Sequence, residues 1–183
     1  MDNLEVAQFI YLLLNNQKIR DVINTLAEKA VLILGRFTPE RKAVLDAIQE
    51  ALRQHGYLPI VFDFDRPTDR DFTETIMTLA GMCLFIIADI TNPKSSPLEL
   101  QATVPNYMVP FVPIIQEEEE PFAMFKDLRG KFDWVLDLLT YDSTRHLISG
   151  LEEAVIKPAL KKHDELLAKK VGEIRIRHIK DYL

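Results

Sequence analysis

AVLILGRFTPERKAVLDAIQEALRQHGYLPIVFDF, residues 30–64, decides the architecture. It opens with an unbroken apolar run, Ala30 to Leu34, closed by Gly35. A strand with one wet face alternates apolar and polar residues. A continuous apolar run ending in glycine reads instead as a parallel strand buried on both faces. The period then lengthens to that of a helix. Val44, Leu45, Ile48 and Leu52 fall on one face, Thr38 supplies an N-cap oxygen, Pro39 fits the first helical position, and Gly56 closes the segment. A second apolar run, YLPIVFDF, follows. Strand, helix and strand at this spacing form a βαβ unit with parallel strands and a right-handed crossover.

The alternation continues downstream. DFTETIMTLAGM (71–82) carries Asp71 and Glu74 at capping-box spacing. CLFIIADI (83–90) is the most strand-like run in the chain. SPLELQATV (96–104) predicts a short helix stopped by Pro105, and VPFVPIIQ (109–116) a fourth strand. PFAMFKDLRG (121–130) predicts a short helix, and FDWVLDLL (132–139) contains the fifth strand. Residues 142–170 read as one long amphipathic helix kinked at Pro158. Five such strands favour the flavodoxin-like order 2-1-3-4-5, a parallel sheet in an α/β domain with helices on both faces.

This domain spans residues 30–170. Before it, residues 1–29 form a helical extension. Val6, Phe9, Ile10, Leu13 and Leu14 recur at helical spacing, as do Ile19, Val22, Ile23 and Leu26, with a break at Asn15-Asn16. An apolar stripe of this kind buries itself on the domain or on a second copy, so self-association through these helices is expected. Residues 171–183, ending EIRIRHIKDYL, alternate apolar and basic residues as a tail or an edge strand.

Bulk composition narrows the function classes. The chain has 183 residues, and 28 acidic against 22 basic side chains give a net charge of −6. That balance disfavours a general nucleic-acid-binding surface. The lone Cys83 makes an intrachain disulfide impossible and, with no signal peptide, points to the cytoplasm. No apolar run reaches the ~18 residues of a membrane span. The four glutamates at 117–120 read as a solvated loop after a strand. His55, His146, His163 and His178 lack ligand spacing, so no metal site and no resident cofactor are expected.

In an open parallel sheet, ligands bind beyond the carboxyl ends of the strands, where strand order reverses. That point lies between the first and third strands. After the first, Gly35 turns the backbone, Thr38 begins a helix whose N–H groups suit an anion, and Arg36 is placed to pair with phosphate. The same residues also read as a capped turn with an exposed arginine. After the second strand, Asp63 or Asp65 is a candidate for a ribose hydroxyl or base, or a turn former. Asp89 ends the third strand as a rim carboxylate, either desolvated or accepting N–H groups of the next loop. With Ser96 as N-cap and Pro97 at N1, Glu99 occupies N3 of its helix, a capping box that accounts for it without any function. Its position just after the central strand also makes it the candidate catalytic carboxylate.

VLILGRFTPERKAVLDAIQEALRQHGYLPI, DRDFTETIMTLAGMCLFIIADIT and SSPLELQ together resemble bacterial TIR-like domains and the related nucleoside 2-deoxyribosyltransferase-like proteins, over roughly residues 30–139. The resemblance implies a flavodoxin-like sheet acting on N-glycosidic bonds of a nucleotide. On it, Glu99 matches the catalytic glutamate, Ser95 or Ser96 the serine ahead of it in TIR domains, and Asp89 the aspartate ending the third strand in the transferases. Arg36 and Phe37 fall where the first loop contacts the nucleotide. Pro97-Leu98 replaces the aromatic-small pair usual before the TIR glutamate, and the transferases' glycine-rich approach is missing. Three functions are expected from this pattern. One is cleavage of NAD or a related nucleotide in bacterial stress or defence signalling, with NAD as substrate. The second is a non-catalytic self-associating scaffold. The third is deoxyribosyl transfer or nucleotide hydrolysis.

Overall fold

The computed structural model describes residues 8, 11, 16–63, 79–91, 104, 108–121 and 123–172. Helix α1 (Gln17–Lys29) runs directly into strand β1 (Ala30–Gly35). Then come α2 (Pro39–Gln54), β2 (Leu58–Asp63), β3 (Phe85–Asp89), β4 (Phe111–Gln116), α3 (Ala123–Lys131) and β5 (Leu139–Tyr141). A final continuous helical run comprises α4 (Thr144–Gly150), a π-turn (Leu151–Ile156) and α5 (Lys157–Gly172). The five strands are parallel and lie in the order β2-β1-β3-β4-β5. This is the flavodoxin-like sheet that the alternating pattern implies.

Every residue of β1 and β3 is buried, whereas the edge strands β2 and β5 are partly open. Burial on both faces is why the central strands are apolar up to the Asp89 that ends β3. Alternate side chains serve two layers. Val31 and Ile33 pack with α2 and the α4–α5 run through Leu45, Ile48, Leu151, Val155 and Ala159. Ala30, Leu32 and Leu34 pack on the other face with Phe125 and Leu128 of α3 and with Leu26 of α1. Cys83 belongs to that second layer.

The local signals of α2 hold. Thr38 is extended (φ −67°, ψ 152°), its hydroxyl accepts the Arg41 N–H, and Gly56 beyond the helix has φ 83°. Gly35 differs from expectation. It is not among the residues with positive φ, and a Cβ there would lie 2.7 Å from Leu45 Cδ2. Its role is to let α2 lie close on β1 rather than to make a strained turn.

Two further elements depart from the sequence reading. The fifth strand begins only at the last residue of FDWVLDLL and runs beyond it, at Leu139–Tyr141. Within 132–138, Val135 forms an isolated parallel bridge to Phe111, made by the Phe111 N–H donating to the Trp134 carbonyl and the Leu136 N–H donating to the Phe111 carbonyl, both at 2.8 Å. Phe132 and Trp134 stack on each other at 5.0 Å, and Trp134 Nε1–H donates to the Val104 carbonyl at 2.9 Å. The last helix, in turn, widens before Pro158: the Lys157 N–H bonds back five residues to the Glu152 carbonyl. A proline ring collides with the carbonyl four residues earlier in a regular α-helix, and a π-turn relieves the clash.

Residues 117–120 are exposed in the turn after β4. Among the described residues, no helix is long and apolar enough to cross a membrane.

Candidate functional site

The carboxyl ends of β1 and β3 meet where strand order reverses. Gly35, Arg36, Phe37 and Thr38 leave β1 there, and Asp63 ends the neighbouring β2. Asp63 Oδ1 accepts the Phe37 N–H at 3.1 Å, which ties the first loop to the second strand. Phe37 leaves 38% of its surface open to solvent, an exposed ring beside the N-terminus of α2. So Gly35, Arg36, Phe37, Thr38, Asp63 and Asp89 come together at one end of the sheet. Asp65, Ser95, Ser96 and Glu99 lie outside the described residues.

Asp89 is buried, and both of its oxygens are engaged. Oδ1 accepts from the Thr91 N–H at 3.2 Å and from the Thr91 hydroxyl at 2.6 Å. Oδ2 accepts from Arg41 Nε at 2.9 Å and from Arg41 Nη2. The guanidinium also donates from Nη1 to Gln116 Oε1 at 2.9 Å and from Nη2 to the Tyr141 hydroxyl. The Thr91 hydroxyl in turn accepts the Gln116 N–H at 3.1 Å. One arginine from the first turn of α2 thus joins the ends of β3, β4 and β5.

The charge state follows from the surroundings. Burial works against the charge on Arg41, but the attraction of Asp89 and the hydrogen bonds to Asp89 and Tyr141 outweigh it and raise its pKa. Burial also raises the pKa of Tyr141, and the Asp89 charge adds to this, while Arg41 pulls the other way. Near neutral pH the Arg41 guanidinium is therefore a cation and the Tyr141 phenol is neutral. With its donors committed inward, Arg41 fixes the strand ends from which the site loops leave; it does not present a reactive group.

Arg41, Thr91, Gln116 and Tyr141 were not picked out by the sequence reading. The available signal was positional: Asp89, Gln116 and Tyr141 each end a strand, and on neighbouring strands these ends align. A second polar pair lies at the outer end of β5, where His146 Nδ1 is 2.8 Å from both Asp142 oxygens. Its hydrogen bond lowers the Asp142 pKa. Both side chains are exposed and border a cavity of about 270 Å³ with Glu117 and Tyr141. Among the described residues, no three His, Cys, Asp or Glu side chains gather as metal ligands would.

No protein-family model matches the sequence, and no curated protein matches it. Solved structures that share its fold include the following two. One is a diflavin flavoprotein A3 from Nostoc sp., with a TM-score of 0.53 and 12% identity over 78% of this chain and 96% of that one. The other is the CMP N-glycosidase BcmB of Clostridium botulinum, with a TM-score of 0.52 and 14% identity over 67% of this chain and 97% of that one. At such identities the likeness is one of fold.

Proposed function

We propose that the chain binds a nucleotide at the carboxyl ends of β1 and β3 and cleaves its N-glycosidic bond. The observation that carries this reading is the exposed Phe37 ring, held by the bond from its N–H to Asp63 beside the capped N-terminus of α2. An aromatic face beside the positive end of a helix dipole suits a base and a phosphate. The sharing of this fold with a CMP N-glycosidase supports the same class of reaction, as does the resemblance of the sequence to TIR-like and deoxyribosyltransferase-like proteins.

In this reading Phe37 stacks on the base, and Arg36 with the α2 N-terminus holds phosphate. Glu99, ten residues beyond Asp89, supplies the carboxylate. Breaking the bond builds positive charge on the sugar, which that carboxylate stabilises or traps covalently. Water then adds to the anomeric carbon, and the base leaves with the bonding electron pair. NAD suits a single carboxylate, because nicotinamide leaves as a neutral molecule without a proton. Asp65, Ser95 and Ser96 complete the nucleotide contacts, and bacterial stress or defence signalling is the setting the resemblance favours.

The test is release of free base from NAD, CMP and deoxynucleosides by the purified chain, followed by chromatography. The expected result is turnover of at least one substrate, reduced about 100-fold or more by Glu99→Gln. Turnover of none, or turnover unaffected by Glu99→Gln, overturns the reading. A second reading, a self-associating scaffold, draws support from α1, whose Leu26 docks on the sheet while Val22 leaves 59% of its surface open. It predicts that Val22→Asp shifts sedimentation of the full chain toward monomer. A wild-type chain that already sediments as a monomer refutes it.

A further inference from the structure

Far from the strand-order reversal, a cavity of about 360 Å³ opens between the starts of β4 and β5, the loop before β5, and the last helix. Its floor is apolar, with Val112 and Val135 fully buried at its base. Ala154, Pro158, Lys161, Lys162 and Glu165 line its helical wall. Their spacing of three and four residues puts them on one face across the π-turn. The hollow exists because the helix presents alanine and proline where larger residues would fill it. Its volume lies within the range of small-molecule sites.

The charges around the mouth are mostly matched. Arg129 pairs with Asp137 at 2.8 Å. Lys162 pairs with Glu165 at 2.8 Å and with Asp133 at 3.5 Å, and Lys169 also binds Asp133. These contacts strap the loop before β5 to the helix. Lys161 is different. Its charge helps hold the Glu165 carboxyl low, but among the described residues it makes no hydrogen bond or ion pair. The cavity therefore offers an apolar floor and one uncommitted ammonium group at its rim.

We propose that this cavity binds a small monocarboxylate with an apolar body. The ring or branched chain rests against Val112, Leu139 and Ala154, and the carboxylate meets Lys161. Titration calorimetry on the full chain with benzoate, and with benzamide as its neutral counterpart, tests the assignment. Benzoate is expected to bind saturably and about tenfold more tightly than benzamide, the worth of one charge-assisted hydrogen bond. Lys161→Gln removes that preference. Ala154→Phe, at an exposed helix position, fills the hollow and abolishes binding of both compounds without lowering the melting temperature. Absence of saturable benzoate binding overturns the proposal, and so does binding that neither variant alters. If Ala154→Phe unfolds the chain, the Lys161→Gln comparison decides alone. Neither result bears on base release at the strand-order reversal, so the two proposals fail separately.

Discussion

Arg41 and Asp89 sit where charges are expensive, with side-chain exposures of 11% and 1%. Two ions withdrawn from water recover their hydration energy only if their mutual geometry is good and the remaining donors and acceptors are filled. Both conditions hold here, since Asp89 accepts from Arg41 and Thr91 and the guanidinium reaches Gln116 and Tyr141. Asp89→Ala strands the cation, so the expected cost is about 3–5 kcal/mol in urea denaturation. Arg129→Ala breaks the exposed pair with Asp137 and is expected to cost no more than about 1 kcal/mol. Equal losses in the two variants would show that Asp89 carries no special burden. Little of this cluster was legible in the sequence. The partners of Arg41 lie 48, 75 and 100 residues away, and no local periodicity spans such separations. Within TPERK, Arg41 reads as one more charge on the first turn of a helix.

Among the elements, legibility followed burial. Strands β1, β3 and β4 are apolar up to the residues that end them because both faces are covered, so their existence and order could be read from runs and glycines. β5 could not be placed as well: only three residues pair, and the apolar stretch before it goes to the aromatic stack under α3. The π-turn was legible only as a disturbance at Pro158. Contact between elements explains Gly35 better than local conformation does. Gly35→Ala places a methyl 2.7 Å from the Leu45 side chain, which is fully buried and must shift within the core to admit it. Overpacking of this kind is expected to destabilise by about 1–3 kcal/mol. Leu45→Ala alone opens a cavity and costs about 2–5 kcal/mol. Because the new methyl enters that cavity, the double variant should lose less than the sum of the two. Strict additivity in a denaturation cycle would mean that β1 and α2 have slack at this contact.

Across the whole molecule, burial holds several acidic protons in place, which makes the fold sensitive to alkali. The Cys83 thiol is pushed up to about 12 by burial, against a smaller lowering from the Leu32 backbone. Tyr57 is raised by burial and by Glu152, and Tyr141 by burial and by Asp89. Each group is neutral when protonated, so the unfolded chain gives up these protons at lower pH than the folded one does. Their contribution to stability is complete below the unfolded pKa and disappears as the pH rises through the folded value. For Cys83 the window runs from 9.0 to about 12, and the tyrosines enter it only above 10.0. Between pH 9 and 10 the thiol dominates among the three, with a limiting slope of about 1.4 kcal/mol per pH unit. Urea midpoints at pH 8, 9 and 10 should therefore fall in the wild type and stay nearly level in Cys83→Ala, which loses only a small buried side chain. A wild-type midpoint that holds to pH 10, or an equal decline in the variant, would mean that the second core layer admits the thiolate. Close packing of Cys83 with Leu32, Ile86 and Phe111 would then not exclude water as tightly as their burial implies.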